Sequence, residues 1–327
     1  MSNLFLNNDS RYQAILAYDQ ITFGFGIVFI FGLLANAFIL YILLVCPSFQ
    51  NITYKIIRIT VISDVISSFT IGYGNINVSA ENTVESGTAL CRAVLAITFI
   101  SNGVSMFNLS YIAVDRYFSI VKPFHRFYHS QRQRIFYITS ITIWIIVSIY
   151  TLIMYPHMQV TQQDPTQCDF PNISTNWEIS TKLFVFITMQ YLIPCTIIIV
   201  TYNKIIKHQS NHVRPGRLTE DTQQADETRK RRFIRMLVFI TLCYILCTLP
   251  LFATLLGIAI TRKSVIQTRN HSFTAFLFLY LSVSISVGIV LVNPIIYLYF
   301  DNKIRHKSLE ILHGLKNRSI ICFNRLK

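Results

Sequence analysis

The sequence predicts an all-α membrane protein in which a bundle of seven transmembrane helices is followed by a short amphipathic cytoplasmic helix. Seven apolar stretches with few or no charges occupy most of its 327 residues. A hydrocarbon core about 30 Å thick is crossed by roughly 20 residues of helix, and lipid offers the backbone no other hydrogen-bond partner. Charged residues make up only 13% of the chain, well below the fraction usual in soluble domains. The predicted spans are residues 20–46, 52–76, 92–121, 135–156, 183–203, 233–260 and 272–300.

Basic residues lie mostly on one side of the predicted bundle. All but six of the 29 Lys and Arg residues follow an odd-numbered span, precede an even-numbered one or lie in the C-terminal part. The six exceptions are Arg11, Arg92, Lys182, Arg262, Lys263 and Arg269. The positive-inside rule therefore places the N-terminus outside the cell and the C-terminus in the cytoplasm. Because this distribution accounts for the net charge of +14, the charge does not indicate a nucleic-acid partner.

The chain divides into three predicted regions around the bundle. Residues 1–19 form a polar extracellular tail without the basic start and apolar core of a cleavable signal peptide. Residues 20–300 form one bundle, whose longest loops are an external one near 157–182 and a cytoplasmic one near 204–232. Residues 301–327 follow it in the cytoplasm, where apolar side chains recur at helical spacing among Lys and Arg, as in a helix lying at the membrane interface. Cys322 follows that stretch and is a candidate for palmitoylation.

Modification sites follow from the same topology. The glycosylation sequons predicted to lie outside begin at Asn8, Asn77, Asn172 and Asn270. Cys91 and Cys168 fall on the external, oxidising side. The cysteines in or at the ends of spans are interpreted as small buried hydrophobic residues: Cys46, Cys195, Cys243 and Cys247.

Polar groups within the spans are the candidate functional residues. An ionisable side chain in mid-membrane costs about 2.5–3.5 kcal/mol on insertion scales, so it tends to mark function. Asp64, in the second span, is the only acidic residue predicted to lie deep in the membrane. The other polar groups, in chain order, are Asn36 in the first span, Asn102, Ser105 and Asn108 in the third, Asp115-Arg116-Tyr117 at its cytoplasmic end, and Asn293-Pro294-Ile295-Ile296-Tyr297 in the seventh.

This constellation resembles the rhodopsin-like (class A) G-protein-coupled receptors over nearly the whole chain. Cys91 lies 25 residues before Arg116, which is the family spacing from disulfide to Asp-Arg-Tyr. The matching residues, in order, are Gly32, Asn36, Asp64, Cys91, Asp115-Arg116-Tyr117, Trp144, Cys168, Pro194, Tyr202, Cys247-Thr248-Leu249-Pro250 and Asn293-Pro294-Ile295-Ile296-Tyr297. The resemblance implies a Cys91–Cys168 disulfide that tethers the external loop. It also implies no enzymatic activity.

Three positions depart from the family pattern. Thr248 replaces the tryptophan that acts as a rotameric switch, so that Tyr244 or Phe252 would relay activation. Lys230 occupies the foot of the sixth span, where many members carry a glutamate that pairs with the third-span arginine. Ile289 stands where an asparagine often completes a sodium pocket.

The resemblance implies a plasma-membrane receptor that binds an extracellular ligand and activates a heterotrimeric G protein. Residues implied in coupling and activation are Asp115, Arg116, Tyr117, Tyr202, Lys230, Asn293, Pro294 and Tyr297. A polar core of Asn36, Asp64, Ser105 and Asn293 is the one place that the resemblance offers for an allosteric sodium ion, and no other metal or cofactor is expected. The basic run at residues 229–232 would face the G protein or membrane lipid, or would simply be a positive-inside signal.

The predicted ligand cavity is neutral. It comprises Thr98, Phe99, Asn102, Phe186, Gln190, Thr248, Leu251, Phe252, Leu255 and Val283. Thr98 stands where amine receptors carry an aspartate, and residues 273–300 contain no lysine for a retinal Schiff base. A peptide entering at the rim, near Glu178, Lys182, Arg262 and Lys263, is favoured over a small neutral odorant-like or lipid-like molecule. A channel or secondary transporter is the alternative from another class, although no internal repeat of the kind found in many transporters occurs in the sequence.

Overall fold

The computed structural model describes residues 8–77, 83–161, 164–211 and 220–325, with some side chains within these ranges left undescribed. Ten α-helices and one hairpin lie within these ranges. The helices of the first four spans are α1 (Asn8–Val45), α2 (Ile52–Asn77), α3 (Val84–Ile120) and α4 (Arg126–Met154). The hairpin pairs β1 (Gln159–Thr161) with β2 (Asp164–Asp169) in antiparallel fashion. The remaining helices are α5 (Trp177–Ile187), α6 (Ile193–Asn211), α7 (Glu220–Thr261), α8 (Val265–His271), α9 (Phe273–Phe300) and α10 (Asn302–Arg325).

Seven of these segments are long and apolar enough to cross a membrane, as predicted. The fifth span is built from α5 and α6, joined by a π-helical turn at Thr188–Leu192. Large apolar side chains cover the outside of the bundle: Phe31 is 67% exposed and Ile141 is 61% exposed. In water such a surface would promote aggregation, whereas hydrocarbon solvates it.

Helices continue beyond the predicted membrane boundaries at the end of the fifth span and the start of the sixth. The sequence predicted a cytoplasmic loop near 204–232, but α6 continues to Asn211 and α7 begins at Glu220. The polar residues there are good helix formers, so loss of hydropathy marks the membrane boundary and not the end of the helix. The external loop near 157–182 likewise contains the hairpin, which the sequence did not predict.

The third span crosses the interior of the bundle. Gly103 allows close packing there, because a Cβ atom on it would lie 2.7 Å from Val147 Cγ1 of α4 and 3.1 Å from Gln190 Nε2. Side chains along α3, from Cys91 to Asp115, are buried. This helix can therefore carry contacts from the outer face to the inner face.

The helix after the seventh span is present, as predicted, and is fixed by a capping aspartate. Asp301 Oδ1 accepts hydrogen bonds from the backbone N–H groups of Lys303 and Ile304, at 2.9 and 3.1 Å. Its Oδ2 accepts one from the hydroxyl of Tyr54 in α2, at 2.8 Å. Ile304 is buried against the bundle while Leu312 is 51% exposed, so α10 has an apolar side available to the membrane.

Candidate functional site

The inner end of α3 holds a buried carboxylate surrounded by donors. Asp115 is 1% exposed, and its neighbour Arg116 donates a hydrogen bond to Oδ2. Arg132 of α4 binds both oxygens, with Nε 2.8 Å from Oδ1 and one terminal nitrogen 2.7 Å from Oδ2. The hydroxyl of Tyr128 donates to Oδ1 at 2.8 Å. One carboxylate is therefore shared by two guanidinium groups, and it is held in place by α4 as well as by its own helix.

Arg116 also donates a hydrogen bond to the hydroxyl of Thr53 at the start of α2. This second contact joins the inner ends of α2 and α3. The Tyr202 and Tyr297 side chains, from the fifth and seventh spans, are both buried. Tyr202 lies close to Arg116 and to Thr241 of α7. The structure thus brings the predicted arginine and the fifth-span tyrosine into the same region, at the inner end of α3.

Of the other residues predicted at the inner face, Tyr117 has a described side chain, whereas Lys230 and Cys322 do not. Tyr117 packs edge-to-face against Phe118, with ring centroids 5.6 Å apart. Lys230 belongs to α7, but its side chain lies outside the described part of the chain, as do those of the whole basic run at residues 229–232. Cys322 belongs to α10, and its side chain is likewise not described.

A polar core joins the first, second and seventh spans in mid-membrane. Asn293 Nδ2 donates to Asp64 Oδ2 at 2.8 Å, and Asn36 Nδ2 donates to the carbonyls of Gly32 and Val290 at 2.9 Å. Pro294, inside α9, follows Asn293 directly. The side-chain amides therefore cross-link the helices at the point where the seventh span cannot complete its own hydrogen bonds.

The same core offers oxygen atoms to a small cation. Asn293 Oδ1 is buried without a hydrogen-bond partner among the described residues, beside the carboxylate of Asp64. Ser105 is buried on α3 near Tyr244. Ile289 is 1% exposed and contributes no oxygen. The part of the chain that is described contains no group of three His, Cys, Asp or Glu side chains suited to a transition metal.

The residues of the predicted ligand cavity lie in the bundle interior, where aromatic rings pack against one another. Phe186 contacts Phe99 and Phe252, with ring centroids 5.0 and 6.5 Å apart, and Tyr191 stacks on Phe252 at 4.6 Å. Gln190 donates from Nε2 to the carbonyl of Phe99 at 2.6 Å. The other predicted members also belong to the interior, with Val283 at its edge: Thr98, Asn102, Thr248, Leu251, Leu255 and Val283.

Beneath the aromatic cluster, Tyr244 occupies the level of the missing tryptophan. Thr248 is buried, and its hydroxyl is bonded to the carbonyl of Tyr244 at 2.7 Å. The hydroxyl of Tyr244 in turn donates to the backbone and side-chain oxygens of Asn102, at 2.9 and 3.1 Å. Two hydrogen bonds between α3 and α7 therefore run through Tyr244, a residue that the sequence offered as one of two relays.

The outer mouth is closed by contacts between loops. The Cys91–Cys168 disulfide joins α3 to the hairpin, as the resemblance implied. The next residue, Asp169, is 1% exposed and accepts hydrogen bonds from the backbone N–H groups of Val265 and Ile266 at the start of α8, at 2.7 and 3.0 Å. The hairpin thereby holds the loop between the sixth and seventh spans.

Charged residues at the mouth are mostly engaged with one another or with rings. Arg262, which directly follows α7 and has a φ of 54°, stacks its guanidinium 4.1 Å from the ring centre of Trp177 and donates to the carbonyl of Ile173 at 3.3 Å. Lys182 pairs with Glu178 at 2.6 Å. Of the predicted glycosylation sites, Asn172 and Asn270 are exposed, whereas the side chains of Asn8 and Asn77 lie outside the described part.

Sequence reasoning missed Arg132, Tyr128, Asp169 and Asp301. Arg132 lies in α4, 17 residues after its partner Asp115 in α3. Asp169 is 96 residues from its partner Val265. The available signal was chemical: an acidic residue directly after the loop cysteine, and another directly after the last span, require partners if they are buried.

Comparison with known proteins agrees with this architecture. The family model "7 transmembrane receptor (rhodopsin family)" matches residues 35–297. Somatostatin receptor type 2 of Sus scrofa and of Mus musculus are each 24% identical to this chain over 251 residues, covering 75% of this chain and 66% of theirs. The RYamide receptor of Drosophila melanogaster is 23% identical over 294 residues, covering 88% of this chain and 62% of its own length. The matches thus span slightly less than two thirds of these relatives.

Proposed function

The chain belongs to the rhodopsin family of seven-transmembrane receptors, and from this premise we propose that it is a plasma-membrane receptor that binds an extracellular peptide and activates a heterotrimeric G protein. In this proposal the N-terminus is extracellular, the C-terminus is cytoplasmic and the chain has no enzymatic activity of its own. Family membership leaves the channel or transporter alternative without support.

The observation that carries G-protein activation is the way in which Arg116 is held at the inner end of α3. Its guanidinium is held by Asp115 and Thr53, and Tyr202 lies close by. Arginine presents five donors and a permanent charge, which suits it to bind the C-terminal tail of a G protein once it is released. Opening of the inner end of α7 would expose it, and Tyr202 and Tyr297 would then stabilise the opened state through their hydroxyls.

A peptide is the ligand class best supported. The similar receptors are named for somatostatin and for RYamide, which are peptides. At the outer mouth, the pair Lys182–Glu178 and the guanidinium of Arg262 provide charges to which a peptide would bind by exchanging their present contacts. The interior supports a second candidate, a small neutral molecule, because its aromatic cluster of Phe99, Phe186 and Phe252 offers no charge.

We include an allosteric sodium ion in the proposal. The residues that would hold it are Asp64, Asn293 and Ser105, since Asn293 Oδ1 is a buried oxygen with no partner among the described residues. Bound there, sodium would add to the contacts that hold the resting packing. Exchange assays in sodium and in N-methylglucamine buffers would test this, with Asp64→Asn as the variant expected to lose any difference.

Nucleotide exchange on purified G proteins tests the function. A neuropeptide library is first screened on cells expressing the chain, and hits are then assayed in nanodiscs with a panel of heterotrimers. We expect at least one peptide to accelerate exchange, and Arg116→Ala to bind that peptide with exchange abolished. Arg134→Ala, on the exposed side of α4, is the matched control. Equal exchange by wild type and Arg116→Ala would contradict the role assigned to Arg116, and failure of every peptide with every heterotrimer would contradict the function itself.

A further inference from the structure

A cleft separates the outer ends of the sixth and seventh spans. It has a volume of about 450 Å³, in the size range of small-molecule sites. Its walls run along α7 from Thr254 to Thr261 and along α9 to Leu279, with residues of α8 at its rim. The seven helical steps from Thr254 to Thr261 cover about 10 Å, so the cleft reaches from the membrane boundary into the outer leaflet. It is separate from the interior that holds the predicted ligand cavity.

The cleft opens on the lipid-facing side of the bundle. Gly257 and Ala275 of its lining are exposed, and Phe278 is 68% exposed. A Cβ atom added to Gly257 would meet nothing within 4 Å, so this glycine leaves open space where other residues would place a side chain.

The walls are apolar in effect, although several threonines line them. The hydroxyl of Thr254 is bonded to the carbonyl of Pro250 at 2.8 Å, and that of Thr261 to the carbonyl of Gly257 at 2.7 Å. The hydroxyl of Thr268 is bonded to a carbonyl of its own helix at 2.9 Å. These bonds turn the threonine methyl groups toward the remaining surface, which suits an alkyl chain.

Two polar groups at the rim of the cleft remain available. Lys263 and His271 line it, and their side chains make no hydrogen bond or ion pair with any described residue. By contrast, Arg262 and Lys182 on the same face are both engaged. The sequence contains no Asp or Glu between residues 228 and 300, so no acidic side chain of this loop competes for the two. Apolar walls below an unpaired ammonium and an imidazole are complementary to a molecule with an alkyl chain and an anionic head.

We propose that this cleft binds a long-chain fatty acid from the outer leaflet, with its alkyl chain between α7 and α9 and its carboxylate on Lys263 and His271. Lysine at a membrane boundary extends its ammonium to the head-group level, where it can pair with that carboxylate. The inference goes beyond receptor activation, and it holds or fails independently of any G protein.

Photolabelling tests the proposal. The chain is purified into nanodiscs of zwitterionic lipid and labelled with a diazirine-bearing palmitate, and labelled peptides are mapped by mass spectrometry. We expect label in residues 254–261 and 275–279. Gly257→Leu should abolish it by filling the cleft. Gly288→Leu is the matched control, because Gly288 lies on α9 outside the cleft and also has open space around its Cβ position.

The head-group contact is tested separately. Lys263→Gln should reduce labelling about fivefold, the factor that an exposed ion pair of this kind supplies, whereas Lys182→Gln should leave it unchanged. The methyl ester of the probe should label weakly, and an anionic two-chain phospholipid should not compete. Equal labelling by acid and ester, label spread evenly over lipid-facing helices, full competition by the phospholipid, or persistence of label in Gly257→Leu would each overturn the assignment.

Discussion

At the scale of single residues, the carboxylate of Asp115 is the most densely contacted group of the inner face. Two guanidinium groups share it, one on its own helix and one on α4. One negative charge facing two positive ones leaves an excess positive charge, and the two guanidinium groups repel each other, so each binds the carboxylate more weakly than it would alone. Arg132 therefore competes with Arg116 for the charge that keeps Arg116 in place.

This competition predicts the effect of Arg132→Gln. With Arg132 removed, Arg116 becomes the only cation on Asp115 and is released less readily. We expect ligand-free exchange to decline about fivefold at matched surface expression, corresponding to roughly 1 kcal/mol. Arg134→Gln, two residues along the same helix, should change nothing. When Asp115→Asn is already present, adding Arg132→Gln should not change ligand-free exchange. If Arg132→Gln alone raised ligand-free exchange, Arg132 would not be competing with Arg116 for Asp115.

Tyr244 links α3 to α7 through its hydroxyl, which donates to the oxygens of Asn102. Tyr244→Phe keeps the ring and removes this donor, leaving the buried Oδ1 of Asn102 unsatisfied at a cost of about 1–3 kcal/mol. Because this bond holds the sixth span to the third in the closed packing, we expect a lower melting temperature and higher ligand-free exchange. Tyr299→Phe, at a 71% exposed position, serves as the control. If Tyr244→Phe lowered the melting temperature but left ligand-free exchange unchanged, the Tyr244 hydroxyl would contribute to stability and not to the equilibrium between the two packings.

At the scale of elements, the hairpin and α8 behave as one unit at the outer face. Asp169 accepts two N–H groups at the start of α8, and its neighbour Cys168 is tied to α3. Ser264 and Gln267 complete a capping box on the same helix. A seven-residue helix is too short to persist alone, so its order depends on these contacts.

Asp169→Asn tests this dependence. An amide nitrogen cannot accept a hydrogen bond, and loss of a capping acceptor typically costs about 1 kcal/mol. We expect hydrogen exchange at Val265 and Ile266 to accelerate several-fold, and reduction of the disulfide to have the same effect. Glu178→Gln, an exposed acid on the same face, is the control. Unaltered protection at those two amides would mean that the capping box alone maintains α8.

At the scale of the whole molecule, local composition predicted the architecture and missed the contacts that fix it. The seven spans follow from hydropathy, and the motif residues from spacing along single helices. The contacts of Asp115, Asp169 and Asp301 depend on how separate elements are placed, and the partner of Asp301 is 247 residues away. The continuation of α6 and α7 beyond the membrane was missed because hydropathy reports the solvent boundary and not the end of a helix.

The sequence has no acidic residue at the foot of the sixth span, and this affects the equilibrium between the inactive and active packings of the bundle without ligand. In relatives with a glutamate there, an ion pair to the third-span arginine helps to keep the inner face closed. Here the sequence has Lys230, and closure depends on Asp115, Thr53 and apolar packing. After screening, repulsion between two like charges destabilises the closed packing by roughly 1 kcal/mol or less. An attractive ion pair at the same place would stabilise the closed packing by a similar amount. A difference of about 1–2 kcal/mol raises a minor active population roughly 5- to 30-fold.

We therefore expect measurable ligand-free nucleotide exchange that falls when Lys230→Glu supplies the missing acid. Arg231→Glu makes the same charge change at the next position of α7, about 100° around the helix, and should have little effect. The comparison is made in nanodiscs at equal receptor concentration, with exchange followed without ligand. Equal rates in wild type and Lys230→Glu would mean that Lys230 extends to the head groups and that closure is independent of it. An equal fall in both variants would assign the effect to the overall charge of the inner face. Only a fall confined to Lys230→Glu, and lost again in the double variant with Arg116→Gln at matched folding, would show that these two positions form the switch.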